Sequence, residues 1–114
     1  MAVNYKSALK IAIVDDEQDM RQSISQWLAL SGYDTETYSS AEDALKSIGN
    51  DYPGIVVSDI KMPGMDGMQF LKRLMSVDSS LPVIMITGHG DVPMAVEAMR
   101  VGACLLYTSD AADE

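Results

Sequence analysis

Three short apolar runs in this chain each stop abruptly at polar residues, and that repeated stop constrains the fold more than any other feature. Leu9-Lys-Ile-Ala-Ile-Val14 ends in Asp15-Asp16-Glu17, Ile55-Val-Val57 ends in Ser58-Asp59, and Val83-Ile-Met-Ile86 ends in Thr87-Gly88. Runs of this length, nearly continuous in apolar and β-branched residues, suit strands buried on both faces of a parallel sheet. A weaker run, Thr35 to Tyr38, reads as an edge strand.

Between these runs the apolar period changes to that of a helix. Met20, Ile24, Trp27 and Leu28 form one stripe, closed by Gly32. Ser39 with Glu42 three residues on has the form of a capping box, and Ala41, Ala44, Leu45 and Ile48 follow at helical spacing up to Gly49. Asp66, with Gln69 three positions on, caps a helix carrying Met68, Leu71, Leu74 and Met75. Asp91 caps a fourth, with Pro93 in its first turn, a stripe at Val92, Ala95, Val96 and Met99, and Gly102 just past its end. Strand and helix alternate four times through short connections. The pattern predicts an α/β fold built on a doubly wound parallel sheet.

Composition narrows the function classes. A chain of 114 residues, 47% hydrophobic, suffices for one core and is too short for two. No apolar run reaches membrane-spanning length, and the opening Met-Ala-Val-Asn-Tyr-Lys lacks the plan of a signal peptide, so a cytoplasmic protein without membrane contact is expected. A single cysteine, Cys104, and a single histidine, His89, exclude an internal disulfide and any thiolate or imidazole metal cluster. Seventeen acidic residues against eight basic ones give a net charge of −9, the wrong sign for gripping a nucleic-acid backbone.

All strands of a doubly wound sheet finish along one edge, and ligands bind in the crevice there. Asp15, Asp16, Asp59 and Thr87 are therefore expected to converge in one shallow cleft. Two unit charges about 4 Å apart repel by roughly 4 kcal/mol at an effective dielectric near 20, so clustered carboxylates call for a proton or a cation. A few carboxylates with open positions suit Mg2+ better than a Ca2+ cage. An Asp carboxylate can attack phosphorus, and Asp59, followed by the loop Lys61-Met-Pro-Gly, is the candidate nucleophile. The Thr87 hydroxyl can donate to a phosphoryl oxygen. Taken singly, each of these residues reads as a turn or cap; their joint pattern carries the chemistry. Asp66 and Asp91 read as caps, His89 as an exposed loop residue and the methionines as packing.

Ile13-Val-Asp-Asp-Glu17, Ser58-Asp-Ile-Lys-Met-Pro-Gly-Met-Asp-Gly67 and Ile86-Thr-Gly-His-Gly90 together resemble the receiver domain of bacterial two-component response regulators, over roughly residues 8 to 103. The stretch Thr87-Gly-His-Gly-Asp-Val-Pro-Met-Ala-Val96 is similar to C4-dicarboxylate transport regulators of the sigma-54 activator class. The resemblance implies a flavodoxin-like fold and a phosphoacceptor at Asp59. It also implies a direct Mg2+ ligand at Asp16, a largely water-mediated one at Asp15, and a third from the backbone carbonyl of Lys61. Thr87 matches the family's switch hydroxyl. The implied donor is a phosphohistidine on a sensor histidine kinase, and the usual outputs are an ATPase and a DNA-binding domain. Such a domain is not an enzyme in the ordinary sense, although it assists its own phosphorylation and dephosphorylation. A receiver homodimer is a further implied partner.

The chain departs from this family after Gly102-Ala103, where a fifth strand with a switch aromatic, a Lys followed by Pro, and a fifth helix are expected. Here it reads Cys104-Leu-Leu-Tyr-Thr-Ser-Asp-Ala-Ala-Asp-Glu114, no Lys follows Lys72, and Ser109 stands about where the phosphate-binding Lys belongs. The tail resembles the translation of a transposon mosaic-end adapter. Residues 1–103 are thus expected to form an incomplete receiver and 104–114 an aberrant tail. In it Cys104–Tyr107 fills the fifth-strand slot, Tyr107 lies near the switch-aromatic position, and no fifth helix follows. Weak phosphorylation, an impaired dimer surface and exposed apolar sheet are the expected consequences. Rival readings are a phosphate-independent interaction module and an Asp-dependent phosphohydrolase, the latter disfavoured because Lys61 stands where its general acid belongs. A nucleotide-binding α/β domain is disfavoured because the first strand leads into Asp-Asp-Glu and not a Gly-rich loop.

Overall fold

The short apolar runs are realised within five parallel strands, β1 Lys10–Val14, β2 Asp34–Tyr38, β3 Gly54–Asp59, β4 Val83–Thr87 and β5 Cys104–Tyr107. Between them lie the helices α1 Gln18–Leu30, α2 Ala41–Ser47, α3 Gly67–Val77 and α4 Val92–Val101. The computed structural model describes residues 9–88 and 92–107. The sheet order is β2-β1-β3-β4-β5, all neighbours parallel. This is the doubly wound order, and the strand sequence reverses direction between β1 and β3. β2 is the edge strand expected from its weaker pattern.

Successive side chains point to opposite faces of a strand, so each strand feeds two cores. Ile11, Ile13 and Val57 pack with Ile24 and Leu28 of α1. Ala12, Val14, Val56 and Met85 point the other way, against Ala41 and Ala44 of α2, Phe70, Leu71 and Leu74 of α3, and Ala98 of α4. Both faces of β1 are buried from Ile11 to Val14, as its unbroken apolar run predicts.

The helices follow the predicted stripes with corrections. α1 closes at Gly32, whose φ is 96°. Within its stripe only Ile24 and Leu28 reach the core, and Trp27 is 70% exposed. The cap of α2 is Ser40 and not Ser39: its hydroxyl accepts the N–H of Asp43 at 3.1 Å, and Glu42 is left to turn elsewhere. Asp66 and Gln69 form the expected reciprocal capping box, with bonds of 2.9 and 3.2 Å. In α4 the buried positions are Ala95 and Ala98, while Val96 and Met99 are exposed. Its most buried positions are thus small residues, with Met94 and Val101 packed beside them, a pattern that the expected stripe misses. The cap at Asp91, the loop residue His89 and the tail beyond Tyr107, with Ser109, lie outside the described residues.

Cys104–Tyr107 does occupy the fifth-strand position, with Thr87 paired to Tyr107. Among the described residues α1 is the single helix on its face of the sheet, and beside it an apolar cleft of about 300 Å3 opens over Ile84, Ile86 and Leu106. No described helix is long and apolar enough to cross a membrane.

Phe70, fully enclosed between α3 and the sheet, anchors the larger core. Urea denaturation of Phe70→Ala is expected to show a loss of about 3–5 kcal/mol. Asp66→Ala, which removes only the cap, is expected to lose about 1 kcal/mol.

Candidate functional site

Parallel pairing places Val14 of β1 level with Ser58 of β3. The residues that follow, Asp15 and Asp59, therefore leave adjacent strands side by side. Asp15 is 3% exposed; its N–H donates to the Tyr38 carbonyl at 3.1 Å, and its Oδ1 accepts the Glu17 N–H at 2.9 Å. Asp16, next along the turn, is exposed. Asp59 is half-buried, its Oδ1 accepting the Lys61 N–H at 3.4 Å. One carboxylate oxygen from each of Asp15, Asp16 and Asp59 lies within 4.8 Å of the other two.

Burial and mutual repulsion act together on this trio. Asp59 is pushed up to about 6, chiefly by burial and next by the charge of Asp15; N–H donation from Lys61 and Ile60 opposes the shift. Asp15 is raised as well, first by burial, with the Glu17 N–H pulling the other way and Asp16 adding repulsion. The cluster thus holds more negative charge than its hydrogen bonds neutralise. Its donors are all hard carboxylate oxygens, open to solvent on the Asp16 side, which is the ligand chemistry of Mg2+.

The loop after β3 is tied down at several points. The Ile60 N–H donates to Ile86 at 3.2 Å and the Gly67 N–H to the Ile60 carbonyl at 3.0 Å. Gly67 presses against the strand end: a Cβ there would lie 2.5 Å from the Asp59 carbonyl oxygen and 2.7 Å from the Ile60 Cα, so no larger residue fits without moving the site. Gly64 has a φ of 73° and supplies the turn. The Glu42 carboxylate, released from the capping role expected of it, accepts the Met65 N–H at 3.3 Å.

The expected convergence is therefore present for Asp15, Asp16 and Asp59. Lys61 meets the group through its backbone N–H. Thr87 is 1% exposed at the end of β4, one residue past the partner of Asp59 in the register, and its hydroxyl donates to the Gly88 carbonyl at 3.4 Å. Sequence reasoning missed Gly67, Glu42 and Arg21, whose Nη1 donates to the Asp15 carbonyl at 2.7 Å. Only Gly67 left a signal, as a glycine directly after a cap at the start of a helix.

The chain is similar to known proteins in sequence and in fold. The family model described as "Response regulator receiver domain" matches residues 11–106. The C4-dicarboxylate transport transcriptional regulatory protein DctD of Rhizobium meliloti is 43% identical over 97 residues, covering 85% of this chain and 21% of that protein. Transcriptional regulatory protein FixJ of Bradyrhizobium diazoefficiens is 42% identical over 93 residues, covering 82% of this chain and 45% of that protein. Among solved structures, the crystal structure of FixJ-N superposes with a TM-score of 0.80 at 39% identity, covering 90% of this chain and 82% of that one. The chain spans about a fifth of the length of DctD and under half that of FixJ. With its sheet order, its gathered strand-end carboxylates and a family match over most of its length, this chain belongs to the response regulator receiver domains of two-component signalling.

Proposed function

We propose that this receiver accepts a phosphoryl group on Asp59 from a phosphohistidine of a sensor histidine kinase, in an Mg2+-dependent step. The observation that supports this most is the meeting of the carboxylates of Asp15, Asp16 and Asp59 within 4.8 Å at the ends of adjacent strands. A carboxylate oxygen of Asp59 attacks phosphorus, the P–O bond forms as the P–N bond breaks, and the imidazole leaves with the electron pair. Asp15, Asp16, Asp59 and the Lys61 carbonyl would hold the ion, which when bound supplies positive charge against the phosphoryl oxygens. Asp59 Oδ1, already steadied by the Lys61 N–H, presents the nucleophile. The Thr87 hydroxyl, now turned to the Gly88 carbonyl, transfers its hydrogen bond to the new phosphoryl group and so couples its charge to β4 and β5.

The transcriptional output belongs to the longer relatives and is proposed here by likeness to them. Ser109 stands in the sequence near the position of the family's phosphate-binding Lys, and no Lys follows Lys72. Phosphorylation is accordingly slow, since one counter-charge to the phosphoryl group is missing. Residues 104–114 are read as adapter-derived; ordinary genomic codons continuing through this stretch of the encoding DNA would overturn that origin.

Two outcomes are expected. Incubation with a small acyl phosphate and Mg2+, followed by intact-mass measurement, adds one phosphoryl group to a minor fraction of the wild type and none to Asp59→Asn; equal labelling of the two would place the acceptor elsewhere. The second concerns stability. The folded-state pKa of Asp59, about 6, lies above its ordinary value of 3.8, so the folded protein binds more protons in that interval. Asp59 therefore destabilises the metal-free fold progressively as pH rises from about 4 to 6, and fully above that. Discounted for partial exposure, the penalty is about 1 kcal/mol. In EDTA, Asp59→Asn is expected to melt above the wild type at pH 7.5 and to match it near pH 4; millimolar Mg2+ at pH 7.5 should narrow the gap by stabilising the wild type.

A further inference from the structure

We infer that Arg21 is a positioning residue for the acidic pocket: its guanidinium holds the Asp15–Glu17 turn in the geometry that lets Asp15 and Asp16 share one cation with Asp59. This rests on the reading of the pocket as a divalent-cation site.

Arg21 Nη1 donates to the Asp15 carbonyl at 2.7 Å in a part-buried setting, the length of a strong charge-assisted bond. The turn it holds carries two of the three carboxylates. The turn is also held by two backbone bonds, Asp15 N–H to the Tyr38 carbonyl and Arg21 N–H to the Glu17 carbonyl at 3.0 Å, and by the Glu17 N–H donating to the Asp15 carboxylate. The helix dipole gives no reason for an arginine here. Arg21 sits at the end of the first turn of α1, where the helix dipole disfavours a cation, and α1 has no side-chain cap hydrogen bond. Its contact with the pocket supplies the missing reason.

A cation beside three carboxylates has two opposed effects. As a charge, Arg21 competes with a second cation; as a brace, it keeps the ligands gathered before the ion arrives. The charge effect is screened at the open Asp16 side of the cluster, whereas the bond to the Asp15 carbonyl is part-buried and short. The brace therefore dominates, and loss of Arg21 weakens cation binding even though it removes a positive charge. Partners that orient metal ligands from outside typically change affinity by about 10–100-fold on mutation; for a single backbone contact the lower end applies.

The test is an NMR titration with MgCl2, following the Asp59 and Ile60 amides at 20 and 200 mM NaCl (roughly above and below a 10 Å screening length), with melting temperatures measured separately. Arg21→Gln is expected to bind Mg2+ about tenfold more weakly than the wild type at both salt concentrations. Arg21→Lys, which keeps the charge and loses the planar fork, is expected to fall between them. Tighter binding by Arg21→Gln, most marked at low salt, would show a mere counter-charge and overturn the inference. Unchanged affinity with a lowered melting temperature would overturn it in favour of a purely structural role. If Arg21→Gln does not fold, the same criteria apply to Arg21→Lys. Asp16→Asn serves as the control: a wild type that binds no Mg2+, or binds it no better than Asp16→Asn, overturns the pocket reading and the Arg21 inference with it. Normal wild-type binding left unchanged in the Arg21 variants overturns the Arg21 inference alone.

Discussion

The pairing of Val14 with Ser58 across β1 and β3 is the constraint on which the site depends. Because parallel strands run in step, this one register brings the next residue of each strand to the same edge at the same level. A slip of one residue would turn Ile11 and Ile13 from the α1 face to the opposite one, so apolar burial on both faces specifies the register strongly. The hydrophobic core thus sets the spacing of the carboxylates, and their mutual repulsion is borne by the stability of that core.

Repulsion among Asp15, Asp16 and Asp59 is a local conflict of the kind expected where function and folding pull apart. The surrounding structure contains it by restraint. β2 holds the Asp15 backbone, Gly67 lets α3 approach the end of β3, and Glu42 reaches from α2 to the loop that follows. Of the helices on the larger core side, α2 and α3 therefore contribute something besides apolar area. Asp59 remains the carboxylate most displaced from its ordinary range among the described residues, through burial first and the charge of Asp15 next.

The two faces of the sheet are unequally covered among the described residues. Three helices close one face; on the other, α1 protects β1 and β3 and leaves apolar side chains of β4 and β5 lining a cleft. β5 nevertheless completes the sheet beside Thr87. Any coupling of the acidic pocket to the molecular surface through Thr87 thus ends on β5, where Tyr107 is the paired residue.

Much of this architecture was legible in the chain because its signals are local. An apolar run too short for a helix, the helical spacing of the apolar residues that follow it, and Asp66 followed by Gln69 act between neighbours in sequence and read the same way before and after folding. The types of residue at the strand ends, and hence the acidic character of the site, belong to that class. Tertiary structure alone decided which strands lie together, the register that sets the 4.8 Å cluster, and the burial that lifts Asp59. It also decided that Glu42 turns to Met65 and Arg21 to Asp15, and that Ala95 and Ala98 are the inner residues of α4. These depend on contacts between residues far apart in the chain, whose closeness is set by the packing of the whole domain and by no single segment of it.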